Sequence, residues 1–288
     1  MPDYRKQNVQ WFPGHMAKTR RQIKEMLNLV DGVVEIVDAR IPQSSSNPEL
    51  NSIINKKPKI VLLNKCDLAD PNATNLWIKH YEKNGVHAMA VDCKTGKGLN
   101  QFSDVCNKAL SKTIEKNKAR GMEGKTLKFM VVGIPNTGKS SFINRMAGKN
   151  KAVVEDRAGV TKSNQWFNVG GGIELLDTPG VLWPKFDDPA VGDKLAFIGS
   201  VKDNITDKES LCFRLIETLQ KVNPKMIEDR YKIAGVADME SWQVFEAIGR
   251  KRGFLIKGGE VNYDRTATII CDEFKGGKLG RISLELPQ

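Results

Sequence analysis

No apolar stretch of the 288-residue chain approaches the ~18–20 residues that a membrane-spanning helix requires, which argues against an integral membrane protein. The opening Met1-Pro2-Asp3-Tyr4-Arg5-Lys6 has no apolar core behind its charges and no long Ser/Arg-rich, acid-poor lead. Neither a secretory signal nor a transit peptide is therefore expected. Cysteine is scarce: five residues, at 66, 93, 106, 212 and 271, with no C-x-x-C pair. That odd set argues against a disulfide framework or a zinc cluster, and free thiols fit a reducing cytoplasm. Internal repeats and low-complexity tracts are absent.

What is present is ordinary globular composition, 40% hydrophobic and 27% charged, in a length that suits one large domain or two smaller ones. The net charge is +11. Nucleic acid is the natural partner of such a surface, because neutralising phosphates releases counterions; a basic protein with no such partner is the plainer alternative. The excess is uneven. Residues 1–199 carry 30 Lys and Arg against 20 Asp and Glu, and residues 200–288 carry 15 against 14.

Five apolar runs, 33–37, 60–63, 86–91, 128–132 and 173–176, read as strands of a sheet buried on both faces. Helical patterns at about 16–30, 71–84, 98–118 and 139–148 lie between them. The alternation predicts an α/β doubly wound sheet over residues 1–199. After residue 200 the pattern becomes helical. Thr206-Asp207-Lys208-Glu209 reads as a capping box, followed by a Leu211, Leu215, Leu219, Val222 stripe and a Trp242, Phe245, Ile248 stripe. A smaller α-helical domain is expected over 200–288.

Gly133-Ile134-Pro135-Asn136-Thr137-Gly138-Lys139-Ser140 matches G-x-x-x-x-G-K-[ST] in full, between a strand and the helical run that starts at Ser141. That context makes it a P-loop. Backbone N–H groups around Asn136, Thr137, Gly138 and Ser141 would cradle phosphates at a helix N-terminus. Lys139 would reach the β- and γ-phosphates, and Ser140 would ligate Mg²⁺. Asp177-Thr178-Pro179-Gly180 ends the next strand. The Asp177 carboxylate suits the same metal through water, and the Gly180 N–H suits the γ-phosphate. Thr161, the only threonine between Ser141 and Thr178, is the candidate for the segment that senses the γ-phosphate. A solvent-facing loop residue is its alternative reading.

Asn64-Lys65-Cys66-Asp67, at the end of an apolar strand, has the form N-K-x-D that GTPases use to read guanine. Asp67 would accept from the guanine N1 and exocyclic amine, and adenine would leave that carboxylate unpaired. Asn64 and Lys65 would support the loop and cover the ring. Asp92-Cys93-Lys94 falls where GTPases offer a backbone N–H to the guanine oxygen, although the usual Ser-Ala-Lys is altered. The order is unusual, because the base elements precede the P-loop. Joining old termini and opening new ones keeps one sheet, so a circular permutation is predicted, with the join near Lys116 to Lys128.

The permuted order, Trp11-Phe12-Pro13-Gly14-His15-Met16, Asp38-Ala39-Arg40 and the helical C-terminal part together resemble the ribosome biogenesis GTPase A family over essentially the whole chain. The resemblance implies a GTPase acting late in assembly of the large ribosomal subunit, with a C-terminal domain that helps bind ribosomal RNA. Arg250-Lys251-Arg252 is a candidate contact there. Where many GTPases place a water-orienting glutamine after D-x-x-G, this chain has Val181. His15 is the candidate substitute, by chemistry and by resemblance, against a structural or RNA-contacting histidine. Asn136 is similar to an asparagine that ligates K⁺ in related P-loops, where the ion would neutralise developing charge; an asparagine capping its own turn is the alternative. Trp11 and Phe12 fit tacking of the arm onto the core better than base stacking. The expectation is a slow cytoplasmic GTPase using GTP, Mg²⁺ and K⁺, monomeric, with the large-subunit precursor and its RNA as partners. The competing reading is an RNA-binding scaffold that holds GTP as a structural ligand. A GTPase assisting RNA modification ranks below both.

Overall fold

The computed structural model describes residues 16–54, 57–148, 165–178, 188–201 and 207–288, with side chains excepted at 16–20 and 22. Helix α1 (Met16–Leu27) leads into β1 (Gly32–Asp38). Two short helical turns, α2 (Pro42–Ser45) and α3 (Leu50–Ile53), follow, then β2 (Lys59–Asn64), α4 (Pro71–Lys83) and β3 (His87–Ala90). Next come α5 (Phe102–Ala109), α6 (Ser111–Ala119), β4 (Leu127–Gly133) and α7 (Lys139–Ala147). Strands β5 (Trp166–Gly170) and β6 (Ile173–Asp177) complete a six-stranded sheet of order β3-β2-β1-β4-β6-β5.

The apolar runs behave as central strands. All seven residues of β1 are buried, and its alternate side chains serve opposite faces. Val34 and Ile36 join a core with Phe102, Phe129 and Phe142, while Val33 and Val37 pack into cores on the other face. Phe102 and Phe142 meet edge to face at 5.1 Å, which anchors α7 beneath the P-loop; full burial of such a side chain contributes about 1.5–3 kcal/mol. The register aligns strand ends: Asp38 pairs with Asn64, Ile36 with Gly133, and Val131 with Asp177. Chain order runs outward from β1 through β2 to β3, then resumes at β4 on the other flank of β1. The loops after β1 and β4 therefore part at a topological switch point, where open α/β sheets bind ligands.

Three local expectations are corrected. Strand β5 was not anticipated; it pairs antiparallel with β6. It is an edge strand of five residues with none fully buried. Phe167 and Val169 alternate onto the core that holds Phe142, and Trp166 packs on another core, a pattern too short to be read as a strand by itself. The turn to β6 uses Gly170, Gly171 and Gly172, all at positive φ. The expected helix 98–118 divides into a 3₁₀ turn at Leu99–Gln101, α5 and α6. Leu110 leaves helical geometry at φ −104° and ψ 16° while staying fully buried in the core. Third, the cap before residue 208 is Asp207, whose carboxylate accepts from Glu209 N at 3.3 Å and Ser210 N at 3.2 Å; Thr206 lies outside the described residues.

The chain divides into two compact units. Among the described residues, one holds 16–178 together with 285–288 and the other lies within 188–284. The second contains α8 (Pro189–Phe197), α9 (Lys208–Val222), α10 (Lys225–Tyr231), α11 (Ser241–Lys251) and α12 (Tyr263–Lys275). Helix α8, expected in the first domain, groups here because Asp193 pairs with Arg214 at 2.9 Å and Phe197 meets Phe274 at 6.2 Å. Leu211, Leu215, Leu219, Phe245 and Ile248 are buried as the stripes predict, but Val222 is exposed at the end of α9. Among the described residues, no helix is long and apolar enough to cross a membrane.

Candidate nucleotide site

At the C-terminal edge of the sheet, β4 ends and the P-loop turns into α7. Gly138 caps the helix at φ 101°, a conformation that favours glycine, and a Cβ there would overlap Asn64 Nδ2. Thr137 is buried, and its Oγ1 donates to Ile134 O at 2.9 Å. These constraints leave an open cleft of about 510 Å³ lined by Lys65, Ile134–Asn136 and Gly138–Ser141, a volume in the usual range for small-ligand sites.

One side chain ties the loops together. Asn64 Nδ2 donates to Thr137 O at 2.6 Å, and Asn64 Oδ1 accepts from Cys93 N at 2.9 Å. The end of β2, the P-loop and the loop after β3 are thereby joined at a buried residue. Lys65, at φ 59°, donates its Nζ to Asn136 O at 2.7 Å and lies 3.1 Å from Asp38 Oδ2. Lys139 Nζ pairs with Asp177 Oδ1. Thr178 Oγ1 donates to Val131 O at 2.7 Å, pinning the start of the loop after β6.

The third loop differs in detail from expectation. The Asp92 carboxylate turns onto its own loop, accepting from Lys94 N at 2.8 Å and Thr95 N at 3.3 Å. Burial opposes ionisation of Asp92, but the Thr95 and Lys94 bonds hold its carboxyl below the ordinary value. The amides of Cys93 and Lys94 thus meet protein acceptors here. The Cys93 thiol is pushed up to about 12, first by burial and then by the Asp92 charge. Asp67 is exposed, as are Lys94, Asn136 and Ser140. His15, Thr161, Gly180 and Val181 lie outside the described residues.

Two contributors were given no role at the site by the sequence, although Asp38-Ala39-Arg40 stood among the motifs that carry the resemblance. Arg145, one helix face along from the P-loop, donates Nη2 to Lys94 O and so braces the third loop from α7. Asp38 pairs with Arg40 and Lys65. Its position at a strand's C-terminal end, on the edge where open α/β sheets bind ligands, was the available signal. For the metal, Ser140 and Asp177 supply oxygen donors of the kind Mg²⁺ takes, both at this edge.

A profile described as 50S ribosome-binding GTPase matches residues 128–239. The chain is 45% identical to the ribosome biogenesis GTPase A of Bacillus licheniformis, over 97% of this chain and 99% of that one. It is 34% identical to the protein of that name from Thermotoga maritima, over 97% and 95%. Solved structures similar to it include a GDP-bound YlqF and a GNP-bound YlqF from T. maritima. Each is 31% identical with a TM-score of 0.66, covering 93% and 94% of this chain and 99% of the other.

Proposed function

This chain belongs to the ribosome biogenesis GTPase A family and is a GTPase, and from that premise we propose that it is a cytoplasmic, monomeric assembly switch for the large ribosomal subunit. The GTP form binds the maturing particle through ribosomal RNA, and hydrolysis releases it. The observation that carries the nucleotide half is the Asn64 bridge between Thr137 O and Cys93 N. Elements distant in sequence meet there, which supports the reading that they serve one nucleotide. The names of the relatives support the ribosomal half.

In this reading Asp67 reads the base, with Asn64 and Lys65 shaping its loop and the 92–94 loop closing the far side. The P-loop amides of Asn136, Thr137, Gly138 and Ser141 hold the phosphates. Lys139, which meets Asp177, turns its charge to the β- and γ-phosphates. Ser140, Thr161 and Asp177 would hold Mg²⁺, which supplies charge neutralisation at the transferred phosphate. Gly180 N–H and Thr161 read the γ-phosphate, and Asn136 is the ligand for K⁺. His15 orients the attacking water in place of the glutamine that Val181 displaces.

The test measures GTP turnover alone and with purified large-subunit precursors, in K⁺ and in Na⁺. Stimulation by the particle and a requirement for K⁺ are expected; a rate that particles leave unchanged sinks the switch. Val181 gives the second reading, an RNA-binding scaffold in which GTP serves mainly as a structural ligand and hydrolysis is slow, its specific support. His15→Ala separates the two: lost hydrolysis with retained GTP binding supports the switch, and unchanged hydrolysis removes His15 from it.

A further inference from the structure

Asp38 and Arg40 are 0% and 1% exposed, an enclosure unusual for charged groups. Arg40 donates Nε to Asp38 Oδ1 and Nη2 to Asp38 Oδ2, both at 2.9 Å, and its backbone N–H reaches Oδ1 at 3.1 Å. That fork holds the carboxylate in one orientation. The second oxygen also meets Lys65 Nζ at 3.1 Å, and the same ammonium donates to Asn136 O at 2.7 Å. Both Lys65 and Asn136 have left-handed backbone, φ 59° and 65°, so neither loop adopts this shape by default. A buried ion pair is weak evidence for a stabilising device, since apolar replacements are often as stable. What this one adds is a fixed anionic oxygen opposite a lysine that spans two loops.

We propose that Asp38, held by Arg40, is a positioning residue for guanine nucleotide binding: it aims Lys65 at the Asn136 carbonyl and so sets the spacing between the base loop and the phosphate loop. The proposal rests on the base pocket assigned above.

The experiment is a double-mutant cycle on the full chain, reading GDP affinity by calorimetry. Asp38→Asn/Arg40→Met removes the two fully buried charges together, so neither is left buried without the other, which favours folding; the half-buried Lys65 keeps the Asn136 carbonyl as its partner. It is compared in Lys65 and in Lys65→Met backgrounds, with thermal melts of each protein. The paired change is expected to weaken GDP binding ~10-fold in the Lys65 background and less than ~2-fold in the Met background, the signature of coupled residues. Equal weakening in both backgrounds, or none in the first, overturns the proposal. If the paired variant does not melt cooperatively, Arg40→Lys takes its place, because it keeps the charge but loses the planar fork. Weakening confined to the Lys65 background again supports the proposal, and any other result overturns it. ADP titrated into the unmodified chain separates the underlying reading. Equal ADP and GDP affinity overturns the base pocket and this proposal together, whereas GDP preference with an additive cycle overturns the proposal alone.

Discussion

Asn64 makes the most consequential pair of bonds at the scale of single residues. Replacing it by alanine leaves Thr137 O and Cys93 N without their partner. Buried groups stranded in this way cost about 1–3 kcal/mol, so GDP binding to Asn64→Ala should weaken by roughly one to two orders of magnitude in a fluorescent-nucleotide titration. A loss below twofold would show that the bridge does not shape the pocket. Asp38 sets a pH dependence. Burial alone would raise its carboxyl, but the Arg40 charge and bonds, and then Lys65, hold it well below the usual carboxylate range. A depressed folded value stabilises the native state above the unfolded value of about 4 and loses that contribution as pH falls toward the folded one. Glu273, lowered mainly by its bonds from Arg230, acts with the same sign. Urea stability should therefore be level between about pH 5 and 8 and decline below that window, with a shallower decline in Asp38→Asn/Arg40→Met. Above about pH 8.5 the buried thiols, which burial keeps protonated in the fold, lower it again. All five cysteines are buried, so thiol reagents should label the native chain slowly and all five sites after unfolding. The residue types at the site were legible because each signature states its own chemistry. Lys65 as a partner of Asp38, and Thr137 and Cys93 as partners of Asn64, were not, since they depend on strands that meet only in the sheet.

Helix α7 couples the loops at the scale of elements. Its first turn carries Lys139 and Ser140, Phe142 fixes it to the core, and Arg145 reaches the Lys94 carbonyl. Arg145→Ala should speed GDP release by about 2- to 10-fold, the worth of one hydrogen bond, with little change in melting temperature; stopped-flow release of a fluorescent GDP checks it. The chain's last residues supply a second element-scale contact within the sheet unit. Glu285 accepts from Gln43 N at 2.8 Å, Ser44 N at 3.1 Å and Ser44 Oγ, and its carbonyl accepts from Trp77 Nε1 at 3.1 Å. Deleting residues 285–288 should lower urea stability by about 1–3 kcal/mol through those stranded donors; an unchanged midpoint would count against a structural tail. Central strands were readable because burial on both faces demands continuous apolar runs. Edge strand β5 and the break at Leu110 were not, because the short alternation of Phe167 and Val169 does not separate a strand from a loop and a buried leucine looks the same inside a helix or at its end.

The rotated order of motifs is a property of the whole molecule, and the sheet order β3-β2-β1-β4-β6-β5 is its consequence in space. The permutation places the N-K-x-D strand before the P-loop in sequence while keeping both at one sheet edge. The charge of +11 makes a further prediction at this scale. If phosphate contacts carry particle binding, affinity should fall linearly with the logarithm of salt concentration, as sedimentation at stepped KCl would measure; an affinity indifferent to salt removes ribosomal RNA as the main contact.

Local order along the chain was enough to specify the chemistry: the P-loop, N-K-x-D and D-T-P-G each encode a short stretch of backbone with its own ligand preference. Their permuted sequence already implied one shared sheet. Only the folded chain decided which side chains hold those stretches at working distance, where α8 belongs, and how the Asp38, Arg40 and Lys65 charges are shared. Apart from the local Asp38–Arg40 fork, such contacts join residues far apart in sequence, and the energies of all of them depend on burial and on geometry that exist only after the strands have paired.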